Sequence, residues 1–229
     1  MLDYMKENDI GYQCNSKNRS FIDFSLRLKE RGINNWAFSL RLNDPKLTTV
    51  DPHDPKNQLE QHRVLVECMD NPWYFFREVL RIPGTNSGGY SVFKANRGNM
   101  AVLFDTVIND VGSWFTGPRC ISGKTTTWVS IILWWYMFDT NHRDITIPVN
   151  RESIMTDIIW KMNHILDELP QYMQNILHDD GVKIAKVNRE KQYKLNVTSE
   201  SQTNGSTITF VVVNSNDEGT TKKWMTELE

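Results

Sequence analysis

Ser122-Gly123-Lys124-Thr125 runs directly into an almost unbroken apolar stretch that ends at Phe138, and this junction constrains the fold more than any other part of the sequence. Residues Thr125 to Phe138 are apolar nearly all round, which predicts a buried helix. A glycine ahead of such a helix lets the backbone curl so that successive N–H groups point inward. The helix start adds the positive end of its dipole, and together these form a cradle for an anion. The complete phosphate-loop pattern is G-x-x-x-x-G-K-[ST]. Counting back from Gly123, the first glycine is due at 118, where Pro118 stands with Gly117 just before it. The loop therefore reads Gly117, Pro118, Arg119, Cys120, Ile121, Ser122, Gly123, Lys124, Thr125. These residue types point to the phosphates of a nucleoside triphosphate. Lys124 would reach the β- and γ-phosphates, Thr125 would offer its hydroxyl to Mg²⁺, and Thr126 would add a hydrogen bond.

A Gly-Lys-Thr triplet also arises by chance, so its context decides the reading. Ser113 to Thr116 predicts a short strand running into the loop, and Asp144 to Val149 predicts another after the helix. Ser153 to Leu169 then predicts an amphipathic helix, with Ile154, Ile158, Met162, Ile165, Leu166 and Leu169 on one face and Pro170 closing it. A hairpin follows: a strand around Tyr193 to Val197, a turn at Asn204-Gly205, and a strand from Ser206 to Val213. Strands alternating with helices predict an α/β fold with a parallel sheet flanked by helices, the hairpin being an embellishment.

Upstream, residues 1 to about 60 are polar and broken at Asp44-Pro45 and at Asp51-Pro52-His53-Asp54-Pro55. They predict an appended N-terminal arm with short helices, such as Phe21 to Arg31, and a domain over 61–229. Asn57 to Arg81 carries Leu59, Val64, Val66, Trp73, Phe76, Val79 and Leu80 at helical spacing. Pro72 opens the second helix of that stretch, with Asn71 as its N-cap. Pro83-Gly84 and Gly88-Gly89 mark a turn-rich loop. Arg97 to Asp110 predicts a further amphipathic helix, with Met100, Leu103, Phe104, Val107 and Ile108 on the apolar side.

A net charge of −2 announces no polyanion partner for the chain as a whole. Cys14, Cys68 and Cys120 are odd in number and scattered, and the five His do not cluster with them, which argues against a disulfide framework and a structural metal site. No apolar signal core opens the sequence, and the stretch Trp128 to Phe138 is too short to span a bilayer. A cytoplasmic protein without a membrane anchor is the expectation. Trp134-Trp135-Tyr136 reads as core packing of the buried helix. Lys222-Lys223-Trp224 reads as an exposed basic tail, with DNA contact by charge and stacking as the alternative.

Several segments in one order carry a resemblance. Asn71-Pro-Trp-Tyr-Phe-Phe-Arg77 and Val79-Leu-Arg-Ile-Pro83 look like a helical lead-in. Phe93 to Met100 looks like a segment that helps enclose a nucleotide base. Gly117 to Thr126 is similar to a deviant Walker A loop. Ile147-Pro-Val-Asn150, the helix ending Leu169-Pro170-Gln171-Tyr172, and Asn204-Gly-Ser-Thr-Ile208 complete the series. Over about residues 60 to 225 the chain resembles the large subunit of tailed-bacteriophage terminases, the ATPase motor that packages viral DNA into procapsids. The resemblance implies a partial P-loop NTPase fold of the RecA-like class, nucleotide binding with ATP and Mg²⁺ as cofactors, and Lys124 and Arg119 as catalytic groups. As partners it implies double-stranded DNA, the terminase small subunit and the portal, in the host cell cytoplasm, with a homo-oligomer among the expected assemblies.

Two departures shape that expectation. Arg119 stands four residues before Gly123 where the family's loop arginine usually stands three before, and Cys120 takes its place. A Walker B strand ends directly in Asp-Glu, whereas Asn214-Ser-Asn separates the apolar run Phe210 to Val213 from Asp217-Glu218. Asp217 and Glu218 therefore read as a solvated loop, and the family's Walker B and metal-dependent nuclease domain are expected beyond Glu229. Without a placed carboxylate to activate water, the expectation for this chain is nucleotide binding with poor hydrolysis. The alternative is a truncated, non-catalytic binding or regulatory protein derived from a terminase.

Overall fold

The computed structural model describes residues 16–84, 89–112, 123–139, 143–177, 192–195 and 206–212. The predicted strand Ser113 to Thr116, the turn at Asn204-Gly205, Asp217-Glu218 and the Lys222-Lys223-Trp224 tail lie outside the described residues. So do Cys14 and Cys120. What is described is a mixture of helices and small sheets.

The described part opens with α1 (Arg19–Glu30), followed by two short 3₁₀ turns, Phe38–Leu40 and Pro45–Thr49. Asp44 caps the second turn by accepting the N–H of Lys46 at 2.9 Å. Helix α2 (Gln58–Asp70) starts at Asn57, whose side chain accepts the N–H of Glu60. Pro72–Tyr74 forms a short α3 that winds on as a π-helical turn, Phe75–Val79. Asn71 stands at its N-cap as expected, but its side chain does not cap the helix. It donates instead to the carbonyl of Arg41 at 2.9 Å and to Glu67 Oε1 at 2.6 Å.

A two-stranded antiparallel hairpin follows, β1 (Arg81–Pro83) and β2 (Tyr90–Val92), where the sequence suggested a helical stretch running to Arg81 and then a turn-rich loop. Its strands are three residues each, too short to show a period. Gly84 closes it by donating to the carbonyl of Gly89 at 2.7 Å, and a Cβ at Gly84 would collide with that same oxygen. Helix α4 (Arg97–Leu103) continues as a second π-helical turn, Phe104–Ile108. Helix α5 (Lys124–Phe138) leads to β3 (Asp144–Val149), and α6 (Glu152–Asp167) and α7 (Gln171–Leu177) follow. The expected strand Tyr193 to Val197 is β4 (Gln192–Leu195), and β5 (Thr207–Val212) is the last described element.

The larger sheet has the order β3-β5-β4. β3 and β5 are parallel with Asp144 opposite Thr207 and Val149 opposite Val212, so their carboxyl ends are level. β4 is antiparallel to β5, as the hairpin reading required. Side chains alternate along β3: Val149 is buried and Ile145 and Ile147 half-buried, while Thr146 and Pro148 are exposed. Pro148 lacks a ladder donor, which suits its place on the outer of the three described strands.

The described part of the expected N-terminal arm is packed into the core. Phe21, Ile22, Leu40, Leu42 and Leu47 belong to the same buried cluster as Phe75, Phe76, Leu133, Met162 and Phe210. Phe93 joins the early and middle parts of the chain, with its ring centre 6.5 Å from that of Phe21 and 5.8 Å from that of Phe76. Asn18 ties the same regions with its amide, donating to the carbonyls of Arg77 and Phe93.

Candidate functional site at the start of α5

Gly123 adopts φ +64° and ψ +17°, in the left-handed region, directly before Lys124 opens α5. Glycine enters this region without the Cβ clash that other residues meet there. The first bond of the helical ladder is Thr127 N–H to the Gly123 carbonyl at 2.9 Å. The N–H groups of Lys124, Thr125 and Thr126 therefore precede the ladder and are directed out of the helix end. Gly123 at the N-cap brings no capping side chain, and the first turn contains no acidic residue. The positive end of the helix dipole at such a start favours an anion.

Of the loop predicted from sequence, Gly123, Lys124, Thr125 and Thr126 are described. Gly123 and Thr125 are exposed, and Lys124 and Thr126 are half-buried. Gly117, Pro118, Arg119, Cys120, Ile121 and Ser122 lie outside the described residues. The next hydroxyls along the helix are engaged. Thr127 Oγ1 donates to the Gly123 carbonyl at 3.0 Å and Ser130 Oγ to the Thr126 carbonyl at 2.7 Å. Thr125 and Thr126 are the hydroxyl-bearing residues of the first turn, ahead of those two.

Below its first turn α5 is held firmly. Val129 to Leu133 are buried, and the Trp134 indole N–H donates to the Cys68 carbonyl at 2.9 Å. The core reading of Trp134 and Tyr136 agrees with their burial. Trp135 is only half-buried, and the Arg143 guanidinium lies 4.9 Å from its ring centre. Arg143 also pairs with Asp139, and with Asp110 at 3.1 Å, so one cation joins the end of α5, the start of β3 and the end of the π-turn after α4. The sequence reading passed over Arg143. A cation between a Trp-rich helix and a strand was the available signal.

Phe93 to Met100, the segment compared with a base-enclosing element, opens α4, which packs against α5. Asn96 and Asn99 form a reciprocal capping box at 3.0 and 2.8 Å, and Asn99 Nδ2 also donates to the Lys94 carbonyl. The two amides thus fix the start of α4. Asn96, Arg97 and Met100 border an open, largely apolar groove of about 640 Å³ between α1 and α4, walled by Phe24, Phe38 and Phe104.

No protein-family model matches the chain, and no curated protein matches it in sequence. Among the described residues no helix is long and apolar enough to cross a membrane.

Proposed function

We propose that the chain is the ATP-binding part of a phage terminase large subunit, the motor of viral DNA packaging, built on a P-loop NTPase sheet. The observation that carries the reading is left-handed Gly123 before Lys124 and Thr125, at the start of a fifteen-residue, largely buried helix. That geometry suits a triphosphate, with N–H groups and the helix dipole aimed at phosphate oxygens and the Lys124 ammonium within reach of them. A nucleotide held there would bring Mg²⁺, with the Thr125 hydroxyl as its protein ligand.

The sheet supports the same reading. β3 and β5 are parallel with level carboxyl ends, and two residues separate β3 from α6. Open α/β sheets take ligands at the carboxyl ends of their strands. Double-stranded DNA, the small subunit, the portal and a place in the host cytoplasm follow from the resemblance and are part of the proposal.

Calorimetric titration of the native chain and Lys124→Ala with ATP and Mg²⁺ tests it. The native chain is expected to bind and the variant to bind at least about tenfold more weakly. Equal binding by the two proteins removes the proposal.

A further inference from the structure

A second polar cavity, made from other segments, lies between the turn before α1, the 3₁₀ turn Pro45–Thr49 and the π-turn that ends at Val79. Its volume is about 180 Å³, and Lys17, Asp51, Tyr74, Arg77, Glu78 and Arg81 are on its wall. Small polar ions fit this space.

The charges on the wall are unequally matched. Glu78 is engaged by Arg77, whose Nε lies 2.6 Å from its Oε1. Asp51 faces Lys17 at 3.7 Å and accepts the N–H of His53 at 3.0 Å. Arg81 is half-buried and enters no ion pair among the described residues. Both wall carboxylates thus already have cations, and one guanidinium is left over.

Tyr74 supplies an independent observation. It is 2% exposed, and its hydroxyl has no hydrogen-bond partner among the described atoms. A buried phenol without a partner is uncommon in a settled core. The Arg77 guanidinium carbon lies 6.0 Å from its ring centre, which holds the ring against the charged wall.

We infer that this cavity binds a small oxoanion, a phosphate or a carboxylate, through the Arg81 guanidinium and the Tyr74 hydroxyl. A guanidinium offers the planar donor fork that matches such anions, and a phenol O–H donates to a remaining oxygen. The Lys17–Asp51 pair at the exposed side admits the ion. The site shares no described residue with the start of α5, so it would be a second anion site on the chain.

The test separates it from the loop around Lys124. Sodium phosphate and sodium acetate are titrated calorimetrically, at constant ionic strength, into the native chain, Lys124→Ala, Arg81→Gln and Tyr74→Phe. The expected result is binding by the native chain and by Lys124→Ala alike, weakened at least about tenfold in Arg81→Gln and several-fold in Tyr74→Phe. The anion that binds more tightly identifies the class of ligand. Tyr74→Phe removes only a partnerless hydroxyl, so it tests the site in a folded protein, and circular dichroism of each variant checks that. Absence of binding by either anion overturns the inference. Native-like binding by both Arg81→Gln and Tyr74→Phe, or loss of binding in Lys124→Ala, does so as well.

Discussion

The indole of Trp134 donates to the backbone carbonyl of Cys68 at 2.9 Å, joining α5 to α2 across 66 positions of sequence. Both residues are buried, so the bond has no competition from water. Trp134→Phe keeps an aromatic ring but leaves that carbonyl without its donor. The expected cost is about 1–3 kcal/mol, read as a lower urea midpoint with unchanged slope. Because the site lies several turns from Lys124, ATP affinity of the folded variant is expected to stay native.

Glu67 is 2% exposed and accepts from three donors: the backbone N–H groups of Asn43 and Asp44 at 2.8 and 2.9 Å, and Asn71 Nδ2 at 2.6 Å. It fixes the loop after Leu42 against the end of α2. Glu67→Gln turns one accepting oxygen into an N–H₂ group that faces donors. A loss of about 1–3 kcal/mol is expected in denaturant unfolding. Glu60→Gln, in the first turn of the same helix, is the control. Glu60 accepts the exposed N–H of Lys56, and its substitution is expected to stay within about 0.5 kcal/mol.

The longer elements were legible in the sequence, while side-chain directions near irregular winding were not. Lys124 to Phe138 is apolar on every side, so its burial follows whatever its phase. In α6 the buried stripe begins at Met155, which is 0% exposed, while Ile154 is 39% exposed. One step of helix, 100°, separates the two, and β-branched Ile drew the face to itself. The π-turn over Phe104–Ile108 changes the winding, so Phe104 and Ile108 are exposed although Met100 and Leu103 in the preceding turn are buried. Leu59 and Val66 were assigned to the apolar side of α2 and are exposed. At the candidate site the motif located Gly123 and Lys124 on the correct boundary. The oxoanion cavity was invisible, because Lys17, Tyr74 and Arg81 converge only through tertiary packing.

His53 gives stability a pH dependence. Its Nε2 lies 3.0 Å from the Val79 carbonyl, and its pKa is held below the ordinary 6.5 chiefly by burial, with the charge of Arg81 adding to the effect. The unfolded chain therefore takes up the His53 proton at a higher pH than the folded chain. The contribution is fully present above about pH 6.5 and is lost as pH falls toward the folded-state pKa. Denaturant unfolding at pH 7.5 and 5.5 is expected to show a smaller loss on acidification for His53→Gln than for the native chain. An equal loss in the two proteins would show that His53 does not contribute.

Gly123→Ala separates the shape of the helix start from its charge. A Cβ at Gly123 would meet nothing within 4 Å among the described residues, so the substitution creates no clash with them. The cost is confined to the backbone, because alanine in the left-handed region pays roughly 1–2 kcal/mol. Relief of that strain moves φ away from +64° and re-aims the N–H groups of Lys124, Thr125 and Thr126. The fold is expected to persist with a modest fall in melting temperature, while ATP affinity drops about tenfold or more although Lys124 is present. Gly123→Asn, whose side chain tolerates left-handed backbone better, is expected to lie between alanine and the native glycine in stability. Native ATP affinity in Gly123→Ala would mean that the backbone at this turn does not hold the phosphates, and the binding role would then rest on the Lys124 charge alone.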